Sequence, residues 1–367
     1  MKFKQFIISL MAIILGLIAG AILMVIMGHN PIDGYSFLFQ GGLMNIERIG
    51  NTLATATPLI LTGLSLAFAF RTGLFNIGAP GQMLMGGFFA TAVGLTVKLP
   101  APVLIPLMIL AGILGGAIWA FIPGALKAKF NVHEVVSTIM MNWIAYWIVY
   151  YMVPMYFKGE FLETESAQLP AAATLRIQSL TDFFQGSFIN MGILIAIISV
   201  FAVWFILNKT VLGYELKAVG FNRDAAEYSG ISVNRSIVLS MMIAGALAGL
   251  AGVVQYTGNA TSIQIGVMPT QGFDGIAVAL LGASNPIGVL FSALFFGLLY
   301  TGKGFMNAMT SIPPEIADTI MATIIYFSAT SIIMERVLNK FQKRKKDKLS
   351  KLQYQIELVL NYDLRTN

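Results

Sequence analysis

The sequence contains no cysteine, so no disulfide, thiolate nucleophile or cysteine-ligated metal can form, and the redox compartment is not legible from it. Its two histidines, His29 and His133, are too few for most metal sites. The stretch His133-Glu134-Val135-Val136-Ser137 breaks the H-E-x-x-H zinc pattern at its last position. A serine hydrolase needs a histidine base beside its nucleophile, and both histidines fall at ends of apolar runs, predicted on opposite sides of a membrane. Charge is scarce as well: 11% of residues are charged, against about 25% in soluble domains. Alternating strand patterns are missing, which excludes a membrane β-barrel.

What fills the chain instead is hydrophobic, at 57% of 367 residues. Apolar stretches of roughly 17 to 25 residues recur, each long enough to cross a hydrocarbon core of about 30 Å as a helix. The expected spans are 6–27, 51–70, 80–97, 103–122, 133–156, 187–207, 236–256, 271–283, 286–302 and 314–334. The fold class is therefore all-α, a polytopic transmembrane helical bundle of about ten spans. The first run resembles a signal peptide behind Lys2 and Lys4, but its apolar length exceeds one, and it reads as an uncleaved span.

With the N-terminus inside, 18 of the 23 Lys and Arg fall on the inner side, leaving Arg48, Lys98, Lys158, Arg176 and Lys303 outside. This positive-inside bias puts both termini in the cytoplasm of a multi-pass bacterial plasma-membrane protein. The net charge of +6 reflects these flanking residues and the tail, where anionic lipid and topology account for it, so no nucleic-acid partner is expected. The span at 271–283 is short, follows Pro269 and Gly272, and precedes Asn285-Pro286. It reads as a half-helix or re-entrant region near 271–286, of the kind tolerated where backbone borders a wet pathway, or else as a helix kinked for packing.

Several tempting features carry less. Gly16/Gly20, Gly112/Gly116 and Gly245/Gly249 are close-packing pairs common in any helical bundle. The run from Gly297 to Gly304 matches a phosphate-binding loop except at its last position, where Gly replaces Ser or Thr, and it continues an apolar span instead of following a strand. No ATP site and no cofactor are expected. Asp274 is the sole acidic candidate for ion coupling inside an expected span, and its plain reading is an N-cap for a helix opening at Gly275. Glu315 and Asp318 follow Pro313-Pro314 in first-turn positions favoured by the helix dipole.

The stretch from Gly213 to Val233 is too ordered for a linker. Asn222 can cap a short helix over 223–228, Gly230 can end it, and the small Ala225 and Ala226 leave a surface that a partner groove could approach. This stretch resembles the coupling-helix region of permeases of ATP-binding cassette (ABC) importers of the simple-sugar and nucleoside type. Three further stretches are similar to the same family: Arg71-Thr-Gly-Leu-Phe-Asn76-Ile-Gly-Ala-Pro-Gly81-Gln82, Asn131-Val-His-Glu134-Val-Val-Ser137-Thr-Ile-Met-Met-Asn142, and Gly272-Phe-Asp274 through Asn285-Pro286. Together they run from about residue 60 to 300.

The resemblance implies a non-enzymatic transport subunit forming the pathway for nucleosides, with a simple sugar such as ribose as the alternative. It also implies a second permease subunit in a heterodimer, cytoplasmic ATP-binding cassette subunits and an extracellular substrate-binding lipoprotein. Residues 1–334 then form the transmembrane permease domain, with coupling segment 213–232, and residues 335–367 a basic cytoplasmic tail. Gly220, Asn222, Ala225, Ala226 and Gly230 become the expected coupling contacts.

Candidate pathway residues are Asn76, Gln82, Asn142, Asn259, Gln264, Phe273 and Asp274, because amides can bond a base or ribose hydroxyl and aromatics can stack on a base. Taken singly, each is as readily a packing or capping residue. The tail run Lys343-Arg-Lys-Lys-Asp-Lys348, followed by Leu349, Leu352, Ile356 and Val359 at helical spacing, reads as contact with anionic membrane lipid or an ATPase, or as a plain topological anchor. An ion-coupled carrier is the competing class.

Overall fold

The computed structural model describes residues 2–159 and 163–330, and the expectations for the tail from 335 lie outside these. The described residues form α1 (Lys2–Ile26), α2 (Pro31–Leu43), α3 (Ile46–Arg71), α4 (Ala79–Thr96), α5 (Ala101–Phe130), α6 (Glu134–Tyr156), α7 (Gln178–Phe183), α8 (Gly192–Lys209), α9 (Val211–Phe221) and α10 (Arg223–Tyr228). They continue with α11 (Val233–Val254), α12 (Gln271–Leu281), α13 (Pro286–Thr310) and α14 (Glu315–Ala329). Beyond a 3-10 turn at Ala171–Ala173 and a π-helical turn at Gln255–Asn259, only isolated bridges occur among the described residues.

Every expected span coincides with a helix, and seven helices are long and apolar enough to cross a membrane. The other three fall short for different reasons. Gly, Pro and Gln82 dilute the apolarity of the 18-residue α4. The 11 residues of α12 reach only about 16 Å at 1.5 Å per residue, as a half-helix would. The described part of α14 has 15 residues. The phosphate-loop look-alike at 297–304 lies within the continuous helix α13.

Three helices, α2, α7 and α9, were not expected, and α2 is the longest of them. α2 opens on an Asn30 cap, whose side chain accepts from the Ile32 N–H at 3.0 Å, with Pro31 in the first helical position. At 13 residues with three glycines it lacks the length and apolarity of a span.

Buried α3 packs against α8, α11, α12 and α13, while α4, α5 and α11 pack together beside it. The glycine pairs make that second contact possible. A Cβ on Gly116 would stand 2.8 Å from the Cα of Gly249, so any side chain there would push α5 and α11 apart. Gly16 and Gly20 receive Ile320 and Ile324 of α14 in the same way.

The segment between α6 and α8 folds back over the end of α11 through main-chain hydrogen bonds. Ser166 donates to Ile263, Leu169 to Thr261 and Leu175 to Thr257, at 2.9, 2.9 and 2.8 Å. Arg176 donates to the carbonyls of Gly258 and Asn259 at 2.8 and 2.6 Å, partnering carbonyls at the π-helical turn.

Candidate functional site

The stretch from 211 to 232 forms two helices set end to end. Asn222 is extended (φ −159°), and its side chain accepts from the Ala225 N–H at 3.0 Å, capping α10 as its sequence requires. Gly230, at φ +82°, closes the other end: its N–H donates to Glu227, and that of Ile231 to Ala226, the paired bonds of a Schellman stop. Only glycine enters that left-handed backbone at little cost.

The five expected contacts divide between two sides. Asn222, Ala225 and Gly230 are exposed. Ala226 is 3% exposed and belongs to a buried cluster with Val219, Ile237 and Met241, so it seats α10 against the bundle. Gly220 abuts the turn after α3, where a Cβ would meet the Arg71 carbonyl and lie 3.1 Å from the Gly73 nitrogen. Two side chains that the sequence did not single out dominate the exposed surface, Phe221 at 91% and Tyr228 at 96%. They flank the six-residue α10, Phe221 just before its cap and Tyr228 in its last position.

The Arg71 turn leads from this segment into the bundle. Arg71 donates through Nε to the Ser284 carbonyl at 3.0 Å, just past the end of α12. Ala283 and Ser284 there both lie in the left-handed region, at φ +52° and +51°. A cation on these carbonyls suits the negative end of the helix dipole. Thr72 shares a 2.8 Å hydroxyl bond with Ser240 of α11. On α9, Lys217 donates to the Leu207 carbonyl, and burial, helped by the nearby Arg71 charge, holds its ammonium below the usual lysine range. Sequence reading took Arg71 and Lys217 only as inner-side charges.

The structure brings three of the expected pathway amides together. The amides of Asn76 and Gln82 pair in both directions, at 2.9 and 3.1 Å, and Asn76 also accepts from the Gly78 N–H. Asn142 on α6 accepts from the Gly81 N–H at 2.9 Å and donates to the Ile77 carbonyl at 2.9 Å. All three side chains are at most 3% exposed. They clamp the start of α4 to α6, each donating one of its two N–H groups to the protein.

Asn259 sits apart from that clamp, in the π-helical turn. It accepts from Asn190 at 2.8 Å and donates to the Ala54 carbonyl of α3 at 3.0 Å. Gln264 lies on the fold-back segment, bridged to Glu165 and exposed. Phe273 is 44% exposed. Asp274 is not a cap: α12 already begins at Gln271 behind Thr270, and Asp274 occupies its first turn. Pro269 and Thr270 start the helix early, since Phe273 and Asp274 both donate to the Thr270 carbonyl. Oδ2 of Asp274 is buried and has no hydrogen-bond partner among the described residues. Asp318 occupies the first turn of α14, and Lys303 pairs with it at 2.8 Å and lies over the Tyr300 ring, 5.0 Å from its centroid.

A bundle of long apolar helices with a capped, aromatic-tipped helix pair set between two of them fits a membrane permease. The chain belongs to the family described as branched-chain amino acid transport system / permease component, which matches residues 48–329, and it is a multi-pass protein of the plasma membrane. It is 41% identical over 344 residues to the guanosine ABC transporter permease protein NupP of Bacillus subtilis (strain 168), covering 94% of this chain and 98% of that one. It is likewise 41% identical over 362 residues to the nucleoside ABC transporter permease protein NupB of Lactococcus lactis subsp. cremoris (strain MG1363), covering 95% and 98%. The glucose ABC transporter permease protein TsgB13 of Haloferax volcanii is 32% identical over 89% of this chain and 87% of its own length. No solved structure matches the chain.

Proposed function

We propose that this chain is a permease subunit of an ATP-binding cassette importer and forms, with a second and related permease, the pathway for nucleosides. The observation that carries the reading is the 41% identity to two nucleoside-type permeases over nearly the whole chain. The ATP-hydrolysing subunits dock on 211–232, with Asn222, Ala225 and Gly230 at the surface, Phe221 and Tyr228 as anchors, and Gly220 and Ala226 seating the helices. A substrate-binding lipoprotein delivers the solute on the opposite face.

The bundle has about ten spans, with α4, α12 and α14 completing the seven longer ones inside the shelter of their neighbours. Both termini face the cytoplasm, as the distribution of Lys and Arg supports. Asn76, Gln82 and Asn142 hold the scaffold of the pathway, because each is buried and bonded to neighbouring protein groups.

The test is uptake by the complete importer reconstituted in proteoliposomes with its ATPase subunits and binding protein. Labelled guanosine should accumulate only with ATP inside and binding protein outside. Glucose or ribose uptake without nucleoside uptake overturns the substrate, and uptake driven by an ion gradient alone overturns the class.

A further inference from the structure

The outward faces of the helices differ in what they can touch. The exposed residues of α1 from its third turn onward are Leu10, Ile14, Ile18, Ile22, Val25 and Ile26, all of them apolar. α5 likewise exposes Val103, Leu107, Leu110, Leu114 and Ile118 along its length. Faces of this kind suit hydrocarbon.

α14 packs against α1 and breaks the pattern. Its buried side is apolar, with Ile320 and Ile324 seated on Gly20 and Gly16. Its exposed residues are Glu315, Asp318, Thr319, Ala322, Tyr326 and Ala329, at the spacings of one helical face, with no exposed Leu, Ile, Val, Phe or Met among them. From Glu315 to Tyr326 this face runs about 16 Å along the axis, more than half of a hydrocarbon core of about 30 Å. It is therefore too long to lie within the headgroup layer alone.

Two neighbouring helices extend the polar face. Tyr300 and Lys303 stand one turn apart on α13. Lys303 pairs with Asp318 of α14 at 2.8 Å, and the Tyr300 side chain reaches the Asp274 carboxyl in the first turn of α12. Thr319 and Thr323 return their hydroxyl protons to the carbonyls of Glu315 and Thr319, at 2.9 and 2.8 Å, so lipid could tolerate them. The carboxylates only accept, and ionisable groups at membrane depth face protein or a water-filled cavity. Broken helices such as α12 border solute sites for the same reason.

We propose that the polar face shared by α12, α13 and α14 is a wall of the solute path, with water in front of it and the second permease beyond, and that its carboxyls accept the sugar hydroxyls of a nucleoside. Asp274 is the leading acceptor, because Oδ2 is left without a donor among the described residues. The inference deepens the nucleoside reading and rests on it for the solute.

The absence of cysteine makes the natural chain a background for single thiols. Ala322→Cys places one on the polar face of α14, and Ile18→Cys places one on the apolar face of α1. Gly20 meets Ile320 and Gly16 meets Ile324, so positions 18 and 322 stand at matching depth on the two helices. The complete importer in proteoliposomes is exposed to a water-soluble methanethiosulfonate, which reacts with thiols in contact with water. The thiol at 322 should label at least tenfold faster than the thiol at 18. Equal rates overturn the wall, whether lipid or a dry contact with the second permease covers it.

The solute is tested on the same thiol at 322, in detergent and without the binding protein, whose own selection then plays no part. Guanosine should slow labelling about fivefold, and 2′,3′-dideoxyguanosine, which lacks two sugar hydroxyls, less than twofold. Equal slowing by both overturns the hydroxyl assignment, and no slowing by either overturns contact with the solute. Adding Asp274→Leu should reduce the guanosine effect to that of the dideoxy compound, while Asp274→Asn, which keeps an acceptor, should retain more of it; both are compared at equal amounts of monodisperse protein. Full protection by guanosine in Asp274→Leu removes Asp274 from the site. Uptake by the unmodified importer keeps the two readings apart, because a wild type that carries sugars and no nucleoside fails the substrate reading, whereas the comparison of positions 18 and 322 needs no solute.

Discussion

Arg71 donates from Nε to the Ser284 carbonyl, 3.0 Å away and 213 positions on in sequence. The backbone of Arg71 meanwhile abuts Gly220, at the end of α9. One residue therefore touches the 211–232 segment with its main chain and the end of α12 with its side chain. A push on α9 has a short covalent and hydrogen-bonded route to α12.

Arg71→Ala should break that route. Loss of a hydrogen bond to a charged group costs about 1.5–3 kcal/mol, and about 1.4 kcal/mol is a factor of ten in an equilibrium. Guanosine uptake should fall tenfold or more while ATP hydrolysis by the assembled importer continues, so transported solute per ATP drops. Arg71→Lys should fall between. An unchanged ratio of uptake to hydrolysis would remove Arg71 from the route.

The two alanines of α10 should respond differently to arginine. Ala225 is exposed, and Ala225→Arg should abolish uptake with normal membrane levels and normal thermal stability. Ala226 is buried, and Ala226→Arg places an unpaired charge in a cluster with Ile237 and Met241. That change should lower the amount of folded protein, read by fluorescence-detected size exclusion. Identical behaviour of the two variants would contradict the seating of α10.

Phe221→Ala and Tyr228→Ala should weaken docking of the ATPase subunits without unfolding the bundle, because both side chains are almost fully exposed. Interface anchors of this kind cost about 2 kcal/mol or more on truncation, roughly 30-fold in affinity. Co-purification with the ATPase subunits measures it, and full recovery of the complex by both variants would count against the anchors.

Asn142→Leu strands a buried N–H of Gly81 and a part-buried carbonyl of Ile77. Each orphaned group costs about 1–3 kcal/mol. The melting temperature in detergent should drop, and the residual uptake should keep the wild-type preference among nucleosides. A changed preference with an unchanged melting temperature would mean that Asn142 touches solute.

What could be read from sequence was what is local. Asn222 and Gly230 announced both ends of α10 because a cap and a left-handed stop are decided within a few residues. The apolar runs located the helices for the same reason. α2 escaped because it is too short and polar for a span, although Asn30-Pro31 carried a usable start signal. The bonds of Asn142 could not be read locally, since its backbone partners lie 61 and 65 positions away. Arg71 was read as a topology charge since nothing local points to Ser284.

The length of α12 also sets the order in which the chain must be built. An 11-residue apolar helix is too short to partition into a bilayer as a span during synthesis. Its place is made by α3, which precedes it, and by α13, which emerges only afterwards. Residues 271–281 should therefore enter a membrane late, with the hairpin that α13 completes, and a nascent chain halted before Pro286 should leave them accessible to a water-soluble label.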